Sequence, residues 1–108
     1  EEYSMALRTR EGRRAIAASL DNIHRLARLY WFTVEFGLIH TAKGLKVYGA
    51  GILSSAAEVK HAIEGQGVER LPFDAAQAMD RPYEIDRLQN TYFVLDDFRQ
   101  LLDRPSAH

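Results

Sequence analysis

Apolar residues recur at spacings of three and four along the first thirty residues, which is typical of an amphipathic helix. The resulting stripe consists of Ile16, Leu20, Ile23, Ala27 and Tyr30. Several arginines lie off this stripe, as expected for the solvent side of such a helix. From Leu29 to Ile39 the chain is apolar on nearly every side, which predicts a buried helix. Gly37 and Gly44 are expected to end the helical signal.

The rest of the chain predicts shorter elements. The three strand candidates are Lys46–Tyr48, Glu84–Leu88 and Thr91–Leu95. Three helices are expected to follow the capping residues Ser55, Asp74 and either Asp96 or Asp97, ending near Glu64, Met79 and Pro105. Ser55 and Glu58 fit a capping box, in which the Glu58 carboxylate would reach back to the start of the helix. The expected fold class is therefore mainly α with two or three short β-strands.

Length, charge and cysteine content narrow the classes of function. The 108 residues suffice for one small domain. A net charge of −1 gives no attraction to nucleic acid or to an anionic membrane, so neither is an expected partner. The absence of Cys excludes disulfides and zinc–sulfur sites and fits a cytoplasmic location.

The beginning of the chain and its longest apolar run bear on processing and membranes. Glu35 and His40 interrupt that run, so no membrane-spanning segment is expected. The stretch Glu1–Ser4 does not resemble a signal peptide. The chain does not begin with Met, which suggests processing or a piece cut from something longer.

Glu35 is the outstanding candidate for chemistry, because it lies inside the apolar run from Trp31 to Leu38. A buried carboxylate without a partner is costly and otherwise takes up a proton. A metal ion, a cation or a hydrogen-bond donor is therefore expected to meet it. Two interpretations remain open on these grounds: a metal or catalytic carboxylate, and a structural ion pair with one of the arginines.

The other candidate groups are weaker. No two of His24, His40, His61 and His108 have the spacing of a metal pair, so surface or loop positions are expected for them. Gly49-Ala50-Gly51 lacks the residues of a phosphate loop and favours a strand-to-helix turn, where the backbone turns tightly or approaches something closely.

Two long motifs carry a resemblance to a known family. Leu26–Ile39 resembles the iron-ligand helix of the pterin-dependent aromatic amino acid hydroxylases. Lys46–Ser55, followed by Glu58, resembles the next signature of that family at the right distance. Tyr83–Asp97 is also similar, so that the resemblance extends from about Ala15 to Leu102. It is strongest to the bacterial, phenylalanine-hydroxylating branch.

The resemblance implies ring hydroxylation with non-haem Fe(II), tetrahydrobiopterin and O2. Glu35 would be the carboxylate ligand of the iron, and Tyr30 and Glu35 would be the catalytic residues. The implied substrate-binding residues are Trp31, Phe36, Gly51 and Ser54, of which Ser54 would also lie near an iron-bound histidine. Ala27 and Tyr30 would border the cofactor. The implied reaction is the conversion of L-phenylalanine to L-tyrosine, with tyrosine and tryptophan as open alternatives.

The chain departs from the family in lacking the His-x-x-x-x-His pair, which lies upstream of these motifs. Residues 1–108 are therefore interpreted as a single segment, the C-terminal portion of a hydroxylase catalytic domain, which should be inactive alone. The short tail Asp103–Pro105 leaves no room for a coiled coil. One competing hypothesis is a non-catalytic module with Glu35 in an ion pair. Another is self-association that covers the Leu29–Ile39 segment.

Overall fold

The computed structural model describes residues 9–85 and 88–102. Four helices and four strands make up most of this part of the chain. The helices are α1 (Arg10–Tyr30), α2 (Ala50–Leu53), α3 (Ala56–Glu64) and α4 (Ala75–Asp80). The strands are β1 (Leu38–Thr41), β2 (Gly44–Val47), β3 (Glu69–Pro72) and β4 (Thr91–Leu95). A π-helical segment (Trp31–Glu35) continues α1, and a 3₁₀ turn (Phe98–Leu101) follows β4.

The four strands form one mixed sheet in the order β2-β1-β4-β3. β1 and β2 pair antiparallel through a turn at Ala42-Lys43. β2 begins at Gly44, whose φ of 105° lies in the region that favours glycine. β4 pairs in parallel with both β1 and β3. Because β4 is central, its residues from Tyr92 to Leu95 are all buried, as expected for a strand covered on both faces.

The core consists of two clusters on opposite faces of β4. Tyr92 and Val94 pack with Leu38, Ile52 and Ala62, the last two from α2 and α3. Phe93 points to the other face and packs with Phe32 and Ala78, from the π-helical segment and α4. The helices therefore cover both faces of a small sheet.

The mainly helical fold is confirmed, but the strands differ from the prediction. β2 and β4 lie at or near their predicted positions, whereas β1 and β3 were not predicted. Both unpredicted strands depend on pairing with β4, which is distant in sequence. The predicted strand Glu84–Leu88 is wrong for its described residues, which are irregular, while its residues 86 and 87 lie outside the described ones.

The predicted helix through Ile39 is also wrong. The helical conformation ends at Glu35, and Leu38 and Ile39 begin β1. The carbonyl of Gly37 accepts hydrogen bonds from the amides of Tyr48 and Gly49, so the chain turns into the β1–β2 hairpin instead. An apolar run of this length does not distinguish a buried helix from a buried strand.

The predicted helix starts are confirmed for the described residues. The side chains of Ser55, Asp74 and Asp97 accept hydrogen bonds from the amides of Glu58, Gln77 and Arg99, respectively. The hydrogen bond from the Arg99 side chain lowers the pKa of Asp97 to about 2. The predicted helix end at Pro105, the tail Asp103–Pro105 and the N-terminal stretch Glu1–Ser4 lie outside the described residues.

The capping box was only half right. The Glu58 carboxylate does not reach back to Ser55, whose amide donates instead to the Ile52 carbonyl at 3.0 Å. It turns into the core, where it accepts a hydrogen bond from the Tyr92 hydroxyl. Burial, and next this hydrogen bond, raise the pKa of Tyr92 far above its ordinary value, so the hydroxyl remains a donor.

The apolar stripe of α1 does not face the rest of the described chain. Leu20, Ile23 and Tyr30 are 50%, 58% and 53% exposed. α1 instead packs on α4 through its arginine side, where Arg28 Nη1 donates to the Met79 carbonyl at 3.1 Å. No helix of residues 9–85 and 88–102 is both long and apolar enough to cross a membrane.

Arg70 on β3 caps the C-terminal end of α3. Its guanidinium donates to the carbonyls of Ala62 at 2.6 Å and Gly65 at 2.9 Å, with a longer contact of 3.4 Å to that of His61. The last carbonyls of a helix have no partner within the helix, and a cation there also meets the negative end of its dipole. The side chain thus joins α3 to the sheet.

We predict that Arg70→Met, which keeps the apolar stem, lowers the free energy of unfolding by about 2–3 kcal/mol because these carbonyls lose a charged donor. Urea unfolding followed by circular dichroism measures this change. Arg14→Met, at an exposed arginine of α1, is the matched control. Equal stability of the two variants would rule out the capping role.

Candidate functional site

The π-helical segment sets the position of Glu35. The amide of Phe36 donates to the carbonyl of Trp31 at 2.9 Å, five residues back, so the last turn is wider than an α-helical turn. The buried Thr33 hydroxyl donates to the Leu29 carbonyl at 2.7 Å. Such wide turns redirect the side chains that follow them and are frequent at functional sites. Here the turn delivers Glu35 to the end of the helix, beside the hairpin.

The glycines after β2 pack directly against the backbone of Glu35. A Cβ on Gly49 would lie 2.4 Å from the Glu35 carbonyl oxygen and 2.6 Å from the Gly37 nitrogen. A Cβ on Gly51 would lie 2.9 Å from Phe36 Cζ and 3.0 Å from Glu35 Oε2. These distances leave no room for a side chain. The prediction that the backbone approaches something closely at Gly49-Ala50-Gly51 is confirmed, and so is the strand-to-helix turn from β2 to α2.

Glu35 is half-buried, not buried as its apolar context predicted. Within the described part of the chain, no side chain forms an ion pair or a hydrogen bond with it. Two arginines of α1 contact other partners: Arg25 Nε lies 3.3 Å from Asp80 Oδ1, and Arg28 donates to the Met79 carbonyl. The ion-pair interpretation of Glu35 therefore finds no support among residues 9–85 and 88–102.

Three aromatic rings form a wall beside Glu35. The Trp31 ring stacks on Tyr83, with centroids 4.4 Å apart and planes at 14°. Its other neighbour is Phe36, at 4.5 Å and 33°. The indole Nε1–H donates to Oε1 of Gln89 at 3.0 Å. The wall thus presents apolar ring surface, while its buried polar atom is satisfied within the protein.

The structure brings some predicted site residues together and leaves others apart. Phe36 and Gly51 contact each other beside the Glu35 carboxylate, and Trp31 packs on Phe36. Ser54 is exposed, and its hydroxyl donates to the Gly51 carbonyl at 2.9 Å. The functional roles assigned to these residues remain predictions.

The two predicted cofactor residues lie on α1, before the wide turn. Both Ala27 and Tyr30 are exposed. Ala27 lines a surface cleft with Arg28, Pro82 and Tyr83, so that it shares Tyr83 with the aromatic wall. Within the described residues, no hydrogen bond joins the Tyr30 side chain to Glu35.

The histidines form no metal site among the described residues. His24 and His40 are exposed, and His108 lies outside the described part. His61 is half-buried, with Nε2 2.7 Å from the Gln89 carbonyl oxygen. Residues 9–85 and 88–102 contain no group of three His, Cys, Asp or Glu side chains able to hold a metal ion.

Sequence reasoning missed Gln89 and Tyr83 as members of the site. Gln89 lies within the family-like stretch Tyr83–Asp97 but was not singled out as a site residue, yet it is only 5% exposed and bonds to Trp31. Nothing local distinguishes it from a polar turn residue, because its partner is 58 positions away. Tyr83 belongs to the family-like stretch, but its stacking on Trp31 arises only in the folded chain.

The Tyr48 hydroxyl is a buried polar atom without a hydrogen-bond partner among the described residues. The ring covers Gly37, where a Cβ would lie 2.1 Å from Tyr48 Cζ, and meets the Phe98 ring edge-on at 5.3 Å. Burial raises the pKa of this hydroxyl well above its ordinary value.

Residues 6–106 match the family described as biopterin-dependent aromatic amino acid hydroxylase. A phenylalanine-4-hydroxylase of Ralstonia nicotianae is 52% identical over 87 residues, which are 81% of this chain and 28% of the relative. A tyrosine 3-monooxygenase of Drosophila melanogaster is 39% identical over 93 residues, or 86% of this chain and 16% of the relative.

Solved structures of phenylalanine hydroxylase from Chromobacterium violaceum have a similar fold. The iron- and phenylalanine-bound structure has a TM-score of 0.75 at 46% identity, covering 85% of this chain and 35% of that one. A structure with bound iron(III) and oxidised cofactor 7,8-dihydrobiopterin has a TM-score of 0.76 at 50% identity, covering 78% and 31%. The chain thus spans about a third or less of the length of these relatives.

We predict that Gly49→Ala destabilises the chain by at least about 2 kcal/mol, because an added methyl group forces apart a well-packed contact. Chemical denaturation measures the loss. Gly67→Asn is the control, since Gly67 has φ +75° and open space around it, so Asn should cost less there. A Gly49→Ala variant as stable as wild type would disprove the close contact.

We further predict that stability falls as pH rises above about 10. Burial raises the pKa of Tyr48, so its hydroxyl stays neutral in the folded chain but ionises readily in the unfolded chain, and this ionisation favours unfolding. Tyr48→Phe should reduce this alkaline loss and, at neutral pH, equal or exceed wild-type stability by up to about 1 kcal/mol, since an unpaired buried hydroxyl is removed. Denaturation midpoints measured over a range of pH test the alkaline loss and the effect of Tyr48→Phe. Tyr30→Phe, at an exposed tyrosine, is the control. A less stable Tyr48→Phe at neutral pH would mean that the hydroxyl has a partner.

Proposed function

Because the chain belongs to the biopterin-dependent aromatic amino acid hydroxylases, we propose that it is the carboxylate-bearing portion of a phenylalanine 4-monooxygenase. The fold is that of part of the catalytic domain of such enzymes. The parent enzyme would convert L-phenylalanine to L-tyrosine, and residues 1–108 would form a single segment at the C-terminal side of its catalytic domain. The observation that carries the proposal is the Glu35 carboxylate, free of protein partners in the described chain and flanked by Phe36 and Gly51.

The carboxylate of Glu35 is a suitable ligand for a non-haem iron site. Oxygen ligands suit hard metal ions, and iron oxygenases commonly combine one carboxylate with two histidines. Glu35 would hold Fe(II) through its carboxylate. The described residues offer no second and third ligand beside it, so the remaining ligands would come from outside them. When bound, iron would activate O2, and tetrahydrobiopterin would supply electrons for the reaction.

The aromatic wall would bind and orient the substrate ring. Trp31 and Phe36 present flat apolar surface, and Gly51 keeps the approach to Glu35 open because it has no side chain. Burying an aromatic ring against this surface would exclude water from the reacting carbon. Ser54 would contact the substrate or a neighbouring histidine, while Ala27 and Tyr30 would border the pterin. Tyr30 and Glu35 would act as the catalytic residues.

Phenylalanine is the favoured substrate because the chain is more similar to a phenylalanine hydroxylase, at 52% identity, than to a tyrosine monooxygenase, at 39%. Self-association of the chain and a cytoplasmic location remain predictions.

We predict that Glu35→Gln abolishes iron retention and tyrosine formation in a longer form of the protein that includes the upstream residues. An amide is neutral and binds Fe(II) more weakly than a carboxylate, so at least about 100-fold less tyrosine is expected. Metal analysis and chromatography of the product measure the two effects. Glu64→Gln, at an exposed glutamate of α3, is the matched control. Full iron content and activity in Glu35→Gln would refute the proposed role.

A further inference from the structure

We propose that Gln89 is a positioning residue, which holds the indole of Trp31 as a fixed wall of the aromatic substrate site. The inference rests on the proposed function for the identity of that substrate. The hydrogen bonds that fix the indole are seen in the structure and do not depend on the proposed function. Gln89 would not touch the reacting atoms; it would act through Trp31.

Both ends of the Gln89 amide group are engaged. Oε1 accepts from Trp31 Nε1 at 3.0 Å, and Nε2 donates to the Glu84 carbonyl at 2.8 Å. The opposite orientation of the amide would place a donor against the indole N–H and an acceptor against a carbonyl. With the side chain 5% exposed, water cannot replace either bond easily. The amide is therefore held in one orientation.

The backbone of Gln89 is hydrogen-bonded to two side chains of α3. Its carbonyl oxygen lies 2.7 Å from His61 Nε2, and its amide is 3.4 Å from Glu58 Oε2. The same carboxylate oxygen accepts the hydrogen bond of Tyr92. Buried polar groups that satisfy one another in this way rigidify their surroundings. The position of the indole is thus tied to α3 and to the central strand.

The ring contacts and the hydrogen bond restrain the indole in different ways. The ring centroids of Tyr83 and Phe36 lie 4.4 and 4.5 Å from that of Trp31 and resist tilting of the indole. The indole also packs against the core cluster of Phe32, Ala78 and Phe93. Stacked faces resist rotation within the ring plane much less, because sliding keeps most of the contact area. A hydrogen bond at the ring edge fixes this in-plane orientation. Loss of the bond should therefore loosen the wall without removing it.

Trp31 is the only tryptophan of the chain, so its indole N–H gives a single NMR signal and its fluorescence is unambiguous. In the wild-type chain the indole proton should exchange with solvent at least about tenfold more slowly than in free tryptophan, since exchange requires local opening. Gln89→Met, which keeps the volume but not the acceptor, should accelerate exchange and increase acrylamide quenching. Gln89→Glu should restore protection at a pH where its carboxyl group is protonated, because the acid then keeps an acceptor for the indole and a donor for the Glu84 carbonyl. Gln66→Met, at an exposed glutamine, is the control.

The same substitutions in the longer, iron-loaded protein separate positioning from mere structural support. Gln89→Met should raise KM for L-phenylalanine about fivefold with a smaller change in kcat, the loss expected for one buried hydrogen bond. Unchanged KM with a mobile indole would overturn the inference, and so would an unprotected indole proton in wild type. Wild-type protein that makes no tyrosine would refute the proposed function instead, while the exchange measurement would still decide whether Gln89 fixes Trp31. If Gln89→Met does not fold, wild-type exchange and Gln89→Glu decide.

Discussion

The close contact of Gly49 with the backbone of Glu35 is the constraint on which the rest of the site depends. This contact holds the end of the wide helical turn against the β1–β2 hairpin. The Gly37 carbonyl joins the same two segments by accepting hydrogen bonds from the amides of Tyr48 and Gly49, both at 3.1 Å. Any side chain at Gly49 would separate the two segments. Because Gly51 continues the contact up to the Glu35 carboxylate, the same packing that builds the fold also aims the charged group. Gly49 and Gly51 therefore determine both the packing of the fold and the position of the Glu35 carboxylate.

Buried hydrogen bonds extend this local contact across the sheet. Glu58, introduced into the core by the helix that Ser55 caps, accepts from Tyr92 at the centre of the sheet and lies close to Gln89. Gln89 in turn bonds to Trp31, which lies in the same wide turn as Glu35. Unpaired, each of these polar groups would destabilise the core. Paired, they specify one arrangement of α3, β4 and the aromatic wall.

The sequence predicts those features that depend on neighbouring residues. The caps at Ser55 and Asp74 are local, and the apolar residues on either side of Glu35 are enough to single it out. Features that depend on distant partners were missed or wrong. β1 and β3 exist because β4 lies between them, and Glu58 leaves its predicted position because Tyr92 offers a buried donor. The end of the helix at Glu35 was missed because an apolar run fits a strand as well as a helix. The engagement of Gln89 with Trp31 links residues 58 positions apart and had no local signal.

We propose that this chain contributes one preformed carboxylate, that of Glu35, to a metal site that other residues complete. Anaerobic calorimetric titration of Fe(II) into the 108-residue chain, beside Glu35→Ala, tests it most directly. A single carboxylate holds a divalent ion weakly, so binding should be absent, or weak and insensitive to the substitution. Tight binding that disappears in Glu35→Ala would contradict the account, since the chain would then build an iron site from its own residues.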